Sequence, residues 1–356
     1  MKNSIKEYID LTSKEKDELW EEAVFVFDTN VLLNLYRYSS KTSEALINAF
    51  KKLSERIWIP HQVAYEFMKN RCEVIFDLVS KYETFDKAKN TFLDQAKGLS
   101  NMKDTDPEII QLNKSIEDWV EKTKKANLRV MNPNDDGILD DILELFDGKT
   151  GSAYTKKEKE DLMKEGEKRY KENVPPGYKD SSKKLSNECD NNAYGDFLVW
   201  KQIMEYAKNN HKDIIFVTAD QKEDWWYRPK NKTVGPLIEL RKEFGEMTNQ
   251  RFLMYSMNHF MEFYEKKYEQ TRIKSVIEEL NLLSNQTIYL NDENSETGFE
   301  IKLDNDALKN YLQNIMYNKN AKNYINIRNY LNKLNLDDNE FRNLFAIRRE
   351  EDENDG

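Results

Sequence analysis

The stretch Val24-Phe25-Val26-Phe27-Asp28-Thr29-Asn30-Val31-Leu32-Leu33 decides the fold. Apolar side chains fill residues 23–27, and a fully apolar run of this length predicts a strand of a parallel sheet that is covered on both faces. An acid ends the strand, and a helix-like run over residues 31–38 follows with almost no loop. Ligands of open parallel sheets sit at the carboxyl ends of the strands, so Asp28 lies where a site would form.

Three further stretches repeat the strand pattern. Residues 56–60 form a short apolar run that ends at a proline, and the run between Asp213 and Asp220 is fully apolar and again ends in an acid. Residues 252–256 are the last of the three. A helical pattern accompanies each strand, and this alternation predicts an α/β fold with a parallel sheet flanked by helices.

Charge-rich sequence with a helical period separates the second predicted strand from the third. We predict that residues 68–190 are a large helical insertion, with a break between helices near residues 105–107. The predicted α/β domain covers residues 1–267. Residues 268–356 are predicted to be a small accessory module, α+β or mostly helical, that ends in an acidic tail. Such a module could mediate homo-oligomerisation or contact with a regulatory protein.

Composition narrows the protein class. The 356 residues are 38% hydrophobic and 34% charged, with a net charge of −10, and no run approaches the roughly 18 apolar residues of a membrane span. The amino terminus lacks the apolar region of a secretory signal, and two cysteines are too few for a disulfide framework or a zinc site. We therefore predict a cytoplasmic protein. The net negative charge argues against non-specific binding along DNA, but it is compatible with a local basic groove on the surface.

Acidic residues from separated segments are predicted to meet at one edge of the sheet. Asp28 and Asp220 each end an apolar strand, Glu66 lies just past the second strand, and Asp196 opens the helix that precedes the Asp220 strand; Asp224 is a fifth candidate. Any one of these acids alone could be a helix cap or a solvated loop residue. Packed together, carboxylates repel one another unless a cation bridges them, and oxygen ligands suit Mg²⁺ or Mn²⁺.

Motifs around these acids resemble those of PIN-domain nucleases. Phe-Asp-Thr-Asn-Val-Leu-Leu, at residues 27–33, resembles the opening motif of that family, and Ile-Pro-His-Gln-Val-Ala-Tyr-Glu-Phe, at 59–67, is similar to the second motif of a large bacterial PIN-like branch. Tyr-Gly-Asp-Phe-Leu-Val-Trp, at 194–200, and Phe-Val-Thr-Ala-Asp-Gln-Lys-Glu-Asp-Trp-Trp, at 216–226, resemble its third and fourth motifs. The resemblance covers roughly residues 24–80 and 175–262, and it implies a PIN-like, Rossmann-like fold.

The resemblance also implies roles for particular residues. It assigns the metal site and catalysis to Asp28, Glu66, Asp196 and Asp220. Asn30 would orient the first carboxylate or a bound water, with Thr29 and Thr218 in support. The family commonly has a second acid where this chain has Ala219, which makes Asp224 a candidate outer-shell group. The Pro-Pro-Gly-Tyr-Lys-Asp turn at residues 175–180 also resembles part of this branch, which implies Asp180 and Lys184 as candidates for the rim of the site.

The predicted activity is metal-dependent hydrolysis of phosphodiester bonds, with Mg²⁺ or Mn²⁺ as cofactor. An endoribonuclease on single-stranded or structured RNA, in bacterial antiviral defence or a stress response, is the first hypothesis. A DNA or flap nuclease of the same fold and a non-catalytic scaffold that binds RNA or protein are the alternatives. Arg37 and Lys222 are candidate phosphate contacts, and Trp225 either stacks on a base or packs in the core.

Overall fold

The computed structural model describes residues 8–100, 103–179, 194–268 and 274–286. Its strands are β1 (Val24–Phe27), β2 (Ile57–Trp58), β3 (Ile214–Thr218), β4 (Trp226–Tyr227), β5 (Gly235–Pro236) and β6 (Phe252–Ser256). Its α-helices are α1 (Ser13–Glu22), α2 (Thr29–Asn34), α3 (Ser40–Lys52), α4 (His61–Ser100), α5 (Pro107–Asn127), α6 (Gly137–Phe146), α7 (Lys156–Lys171), α8 (Gly195–Asn210), α9 (Ile238–Thr248), α10 (Met257–Tyr268) and α11 (Lys274–Gln286).

The central sheet has four parallel strands in the order β2-β1-β3-β6. Phe27 of β1 is in register with Val217 of β3, and Thr218 is in register with Ser256 of β6. Residues of β1 and β3 are all buried, as expected for apolar strands covered on both faces. The predicted α/β fold is confirmed, and the parallel arrangement brings the carboxyl ends of the strands to one edge.

Aromatic side chains from helices cover both faces of this sheet. On one face, the Phe27 ring centroid lies 4.1 Å from that of Phe50 on α3 and 5.7 Å from that of Phe260 on α10. On the other face, the Phe252 ring lies 5.0 Å from Trp200 on α8. These buried rings pack α3, α8 and α10 onto the sheet.

A helical arm leaves the sheet after β2. Helix α4 has 40 residues and is about 60 Å long, and α5 packs beside it through a Phe85–Trp119 ring contact of 5.7 Å and a Lys89–Glu117 ion pair of 3.3 Å. Helix α5 begins at Pro107, at the predicted break, because proline is tolerated at the first position of a helix. No helix in the described ranges has both the length and the apolarity that a membrane crossing requires.

Helix α6 returns the chain to the core of the sheet. Its buried residues Ile138, Ile142 and Phe146 belong to the same hydrophobic cluster as β1 and β3. Past the end of β2, Ile59 forms a parallel bridge with Thr150. The predicted helical insertion is therefore confirmed as mostly helical over its described residues, and α6 within it contributes to the hydrophobic core. Its bounds of 68–190 stay a prediction, and residues 180–190 lie outside the described residues.

The sequence pattern does not single out helix α7 or strands β4 and β5. Helix α7 begins after a capping box, in which the side chains of Thr155 and Glu158 each accept a hydrogen bond from the backbone N–H of the other residue. Strands β4 and β5 form a two-stranded antiparallel sheet after β3. Helix α7 and the segment before β4 both carry residues that pack near the acids.

Helix α11, in the segment that the sequence assigns to the accessory module, packs against α3 and α10. The Glu279 carboxylate accepts hydrogen bonds of 2.6 Å from Ser39 N, Ser39 Oγ and Thr42 Oγ1, and Leu280 is buried. Helix α11 thus belongs to the same compact unit as the sheet. The accessory module from residue 268 onward stays a prediction, and most of it lies outside the described residues.

Candidate active site at the carboxyl edge of the sheet

Asp28 is the residue that directly follows β1, and its carboxylate is held by two donors. Thr29 N donates to Asp28 Oδ1 at 2.7 Å, which caps α2. Thr218 Oγ1, at the end of the neighbouring strand β3, donates to Asp28 Oδ2 at 2.7 Å. Because β1 and β3 are parallel and Phe27 is in register with Val217, the residues that follow these two, Asp28 and Thr218, lie side by side.

Glu66, in the second turn of α4, faces the same crevice. Gln62 Nε2 donates to Glu66 Oε1 at 2.8 Å, and Thr29 Oγ1 donates to Glu66 Oε2 at 3.0 Å. The backbone of Gly195 lies directly behind the carboxylate, because a methyl group there would stand 2.5 Å from Glu66 Oε1. Thr29 therefore links two of the candidate acids, Asp28 through its N–H and Glu66 through its hydroxyl.

The ammonium group of Lys222 lies between the carboxylates of Asp196 and Asp220. The Lys222 ammonium lies 3.1 Å from Asp220 Oδ2 and 4.0 Å from Asp196 Oδ2. Asp196 also accepts a hydrogen bond of 3.4 Å from Trp225 Nε1, and Asp220 N donates to Thr218 Oγ1 at 2.9 Å. Acids from α8 and from the end of β3 are thus brought to one place.

Asp224 is fully buried and supports a loop. Its Oδ2 accepts from the backbone N–H of Lys179 at 3.0 Å, and its Oδ1 has no hydrogen-bond partner among the described residues. Burial raises the pKa of Asp224, and the charge of Asp220 raises it further. The supporting role of Asp224 beside the metal site stays a prediction.

The loop at residues 175–179, which Asp224 anchors through Lys179, packs against the site. A methyl group at Gly177, which has a φ of +89°, would lie 2.9 Å from the Asp196 Cβ. The loop is also held by Arg169, which donates to the Pro175 carbonyl and forms a two-pronged ion pair with Glu243 at 2.5 and 2.8 Å. Glycine is required at 177 both for its left-handed backbone and for the close approach.

The electrostatics of the crevice centre on Asp28. The pKa of its carboxyl is raised to about 7, chiefly by burial and in smaller part by the negative charges of Asp220 and Glu66, against the hydrogen bonds from Thr218 and Thr29, which lower it. A carboxyl whose pKa lies near neutrality is a candidate for a functional site.

The remaining predicted residues are spread more widely. Asn30 is exposed next to Asp28, and Arg37 is exposed and donates to Asn34 Oδ1 at 2.9 Å. Trp225 is 3% exposed, and its ring packs on Phe216, so the structure places it in the core. Asp180 and Lys184 lie outside the described residues.

Gly195, Gly177, Arg169 and Glu243 support the site but were not predicted from the sequence. Gly195 and Gly177 stand inside the quoted motifs, yet only the fold shows which backbone approaches which carboxylate. Arg169 and Glu243 are 74 residues apart and carry no motif. Sequence spacing holds no signal for such a pair.

The site has donors of the kind that a hard divalent cation prefers. Carboxylates from four segments converge, and the buried Oδ1 of Asp224 adds an oxygen without a partner among the described residues. Among those residues, no group of three or more His, Cys, Asp or Glu side chains is gathered closely enough to hold a metal ion. The donor set is thus of the oxygen type that hard divalent cations prefer, and two of its members, Asp196 and Asp220, lie on either side of Lys222.

The fold is a parallel α/β sheet with candidate acids at its carboxyl edge, an arrangement that nuclease-type folds share with other α/β proteins. The sequence model described as "PIN like domain" matches residues 24–240, which is more than half of the chain, and the protein belongs to the PIN-like domain family. No curated protein and no solved structure matches the chain.

Proposed function

We propose that this protein is a metal-dependent nuclease that hydrolyses phosphodiester bonds in RNA. The convergence of Asp28, Glu66, Asp196 and Asp220 at the carboxyl edge of the sheet carries the proposal. The PIN-like domain family supports a nuclease activity. Bacterial antiviral defence or a stress response, in the cytoplasm, is the setting that we predict for it.

The charge of the crevice explains why a cation is needed. A phosphodiester carries a negative charge, and Asp28, Glu66 and Asp220 repel it at short range. A Mg²⁺ or Mn²⁺ ion held by these carboxylates would offset this repulsion and would lower the pKa of the attacking water, which is the chemistry that hydrolysis requires. The chain's own part is to hold the carboxylates in place.

Hydrogen bonds within the chain do this positioning. Thr29 and Thr218 fix the two oxygens of Asp28, and Thr29 and Gln62 fix those of Glu66. Side chains held by packed neighbours keep their orientation when charge develops in a reaction, and such preorganisation is a large part of catalysis. Thr29 is the shared member of both pairs, which extends the supporting role that the resemblance implies.

A cleavage panel tests the proposal. The full chain is incubated with single-stranded RNA, duplex RNA, single-stranded DNA and flapped DNA of matched sequence, each with Mg²⁺, with Mn²⁺ or with EDTA. We expect cleavage of RNA that EDTA abolishes. Cleavage of DNA alone would instead establish the DNA or flap nuclease, and intact substrates under every condition would favour a non-catalytic scaffold.

A further inference from the structure

Lys222 places a positive charge between two of the candidate acids. Its ammonium lies 3.1 Å from Asp220 Oδ2 and 4.0 Å from Asp196 Oδ2. The two carboxylates belong to different segments, one after β3 and one on α8. The side chains are 27%, 10% and 28% exposed for Lys222, Asp220 and Asp196, so water screens these ion pairs only in part.

The backbone around Lys222 is fixed, which directs the side chain into the crevice. Lys222 N donates to Asp220 Oδ1 at 2.7 Å, and the Lys222 carbonyl accepts from Trp225 N and Trp226 N at 3.2 Å each. Trp226 Nε1 closes the turn by donating to the Asp220 carbonyl at 2.6 Å. The ammonium is therefore presented by a rigid turn that also carries Asp220.

We propose that Lys222 is a built-in counter-ion that holds Asp196 and Asp220 together in the metal-free site, and that a divalent cation displaces it on binding. This role rests on the proposed function, because it requires a metal at these acids. Two cations between the same pair of carboxylates would repel each other, so Lys222 and the metal exclude one another. Lys222 is thus a positioning residue that tunes metal affinity.

Replacing the charge tests this exchange. Lys222→Met keeps most of the apolar stem and removes the ammonium, and Lys222→Arg keeps a positive charge. Mn²⁺ binding to each full-length protein is measured by calorimetry, and thermal unfolding is followed in EDTA. We expect Lys222→Met to bind Mn²⁺ about 3- to 10-fold more tightly than wild type and to unfold at a lower temperature in EDTA, because Asp196 and Asp220 then repel each other without offset.

A matched control separates this effect from the loss of any lysine. Lys201 lies on α8, five residues after Asp196, and its ammonium pairs with Glu165 at 3.3 Å. Lys201→Met should leave Mn²⁺ affinity unchanged. Lys222→Arg should bind Mn²⁺ no more tightly than wild type, because a cation still occupies the space between the acids.

The outcomes distinguish the counter-ion role from the nuclease function. If wild type cleaves RNA with Mn²⁺ while Lys222→Met binds Mn²⁺ equally or more weakly, the nuclease function stands and the counter-ion role is wrong. If neither protein binds Mn²⁺, the metal-dependent function fails, and the counter-ion exchange fails with it.

Discussion

The carboxylate of Glu66 lies against the backbone of Gly195, so closely that a methyl group at Gly195 would stand 2.5 Å from Glu66 Oε1. Gly195 is the first residue of α8, and Asp196 follows it directly. This contact joins the start of the helix that carries one candidate acid to the side chain of another. The distance between α4 and α8 at the site is therefore set by a residue without a side chain.

Gly195→Ala should lower activity far more than it lowers stability. The added methyl displaces the Glu66 carboxylate, which is the movable end of a flexible side chain, while alanine favours the helix by up to about 1 kcal/mol. We expect the RNA cleavage rate to fall at least about tenfold, since small misplacements of site groups are costly. The melting temperature should change by only a few degrees, as measured by circular dichroism.

Gly245→Ala is the matched control, because Gly245 is also helical, on α9, and a methyl there meets nothing within 4 Å. It should retain the full cleavage rate and unfold at the same or a slightly higher temperature. Equal losses of activity in the two variants would show that the Gly195–Glu66 contact has no special role.

Asp28→Asn should stabilise the metal-free protein at high pH. The pKa of Asp28 is raised from 3.8 to about 7 in the folded protein, so between these values the folded state binds more protons than the unfolded state. The free energy of unfolding from this group therefore falls as pH rises through the window. Asparagine does not titrate and so avoids that loss. We expect the free energy of unfolding of Asp28→Asn to be roughly 1–3 kcal/mol higher than that of wild type at pH 8 in EDTA.

The pH dependence is the decisive part of this comparison. Urea unfolding of both proteins at a series of pH values should show the difference shrinking toward pH 4, where Asp28 is protonated in the folded state and much of it is protonated in the unfolded state. A difference that stays constant from pH 4 to 8 would mean that the Asp28 carboxyl does not titrate in this window.

Arg169→Lys should loosen the loop that presses on Asp196. Lysine cannot reproduce the two-pronged pair with Glu243 while also donating to the Pro175 carbonyl. We expect a loss of about 1–3 kcal/mol in the free energy of unfolding together with a lower RNA cleavage rate, measured well below the melting temperature.

Arg71→Lys provides the comparison, because Arg71 forms a similarly buried pair of 2.8 Å with Asp136, which caps α6 away from the loop. It should lose comparable stability and keep its cleavage rate. If both variants lose the same fraction of activity, the effect of Arg169 arises from general destabilisation and not from the loop.

Strong local patterns made most of the fold predictable. The strands at residues 24–27 and 214–218 are buried throughout and are apolar except for Thr218, so composition alone reveals them. Helix α7 falls inside the predicted helical insertion, but the hydrophobic pattern does not single it out, because its sequence is polar and it buries little apart from Gly166 and Tyr170. The Thr155–Glu158 capping box is the signal that marks its start. Strands β4 and β5 have two residues each, too short for any period to show.

Some residues of the candidate site are predictable from local sequence patterns, and others depend on how distant segments pack. Asp28 and Asp220 follow from strand ends, because the parallel sheet brings those ends together. The burial of Trp225 and the placement of Lys222 between two acids depend on how the turn after β3 folds back, and this is a matter of packing between segments distant in sequence. Contacts of that kind leave no trace in local spacing.

The rate of RNA cleavage by Asp28→Asn tests the central claim most directly. Wild type, Asp28→Asn and Asp118→Asn, an exposed acid on α5, are compared with labelled RNA in Mn²⁺ and in EDTA. If the acids at the sheet edge form a metal-dependent nuclease site, Asp28→Asn loses cleavage by at least about a hundredfold, whereas Asp118→Asn cleaves like wild type and EDTA stops both active proteins. Cleavage by a folded Asp28→Asn protein at the wild-type rate would contradict the account.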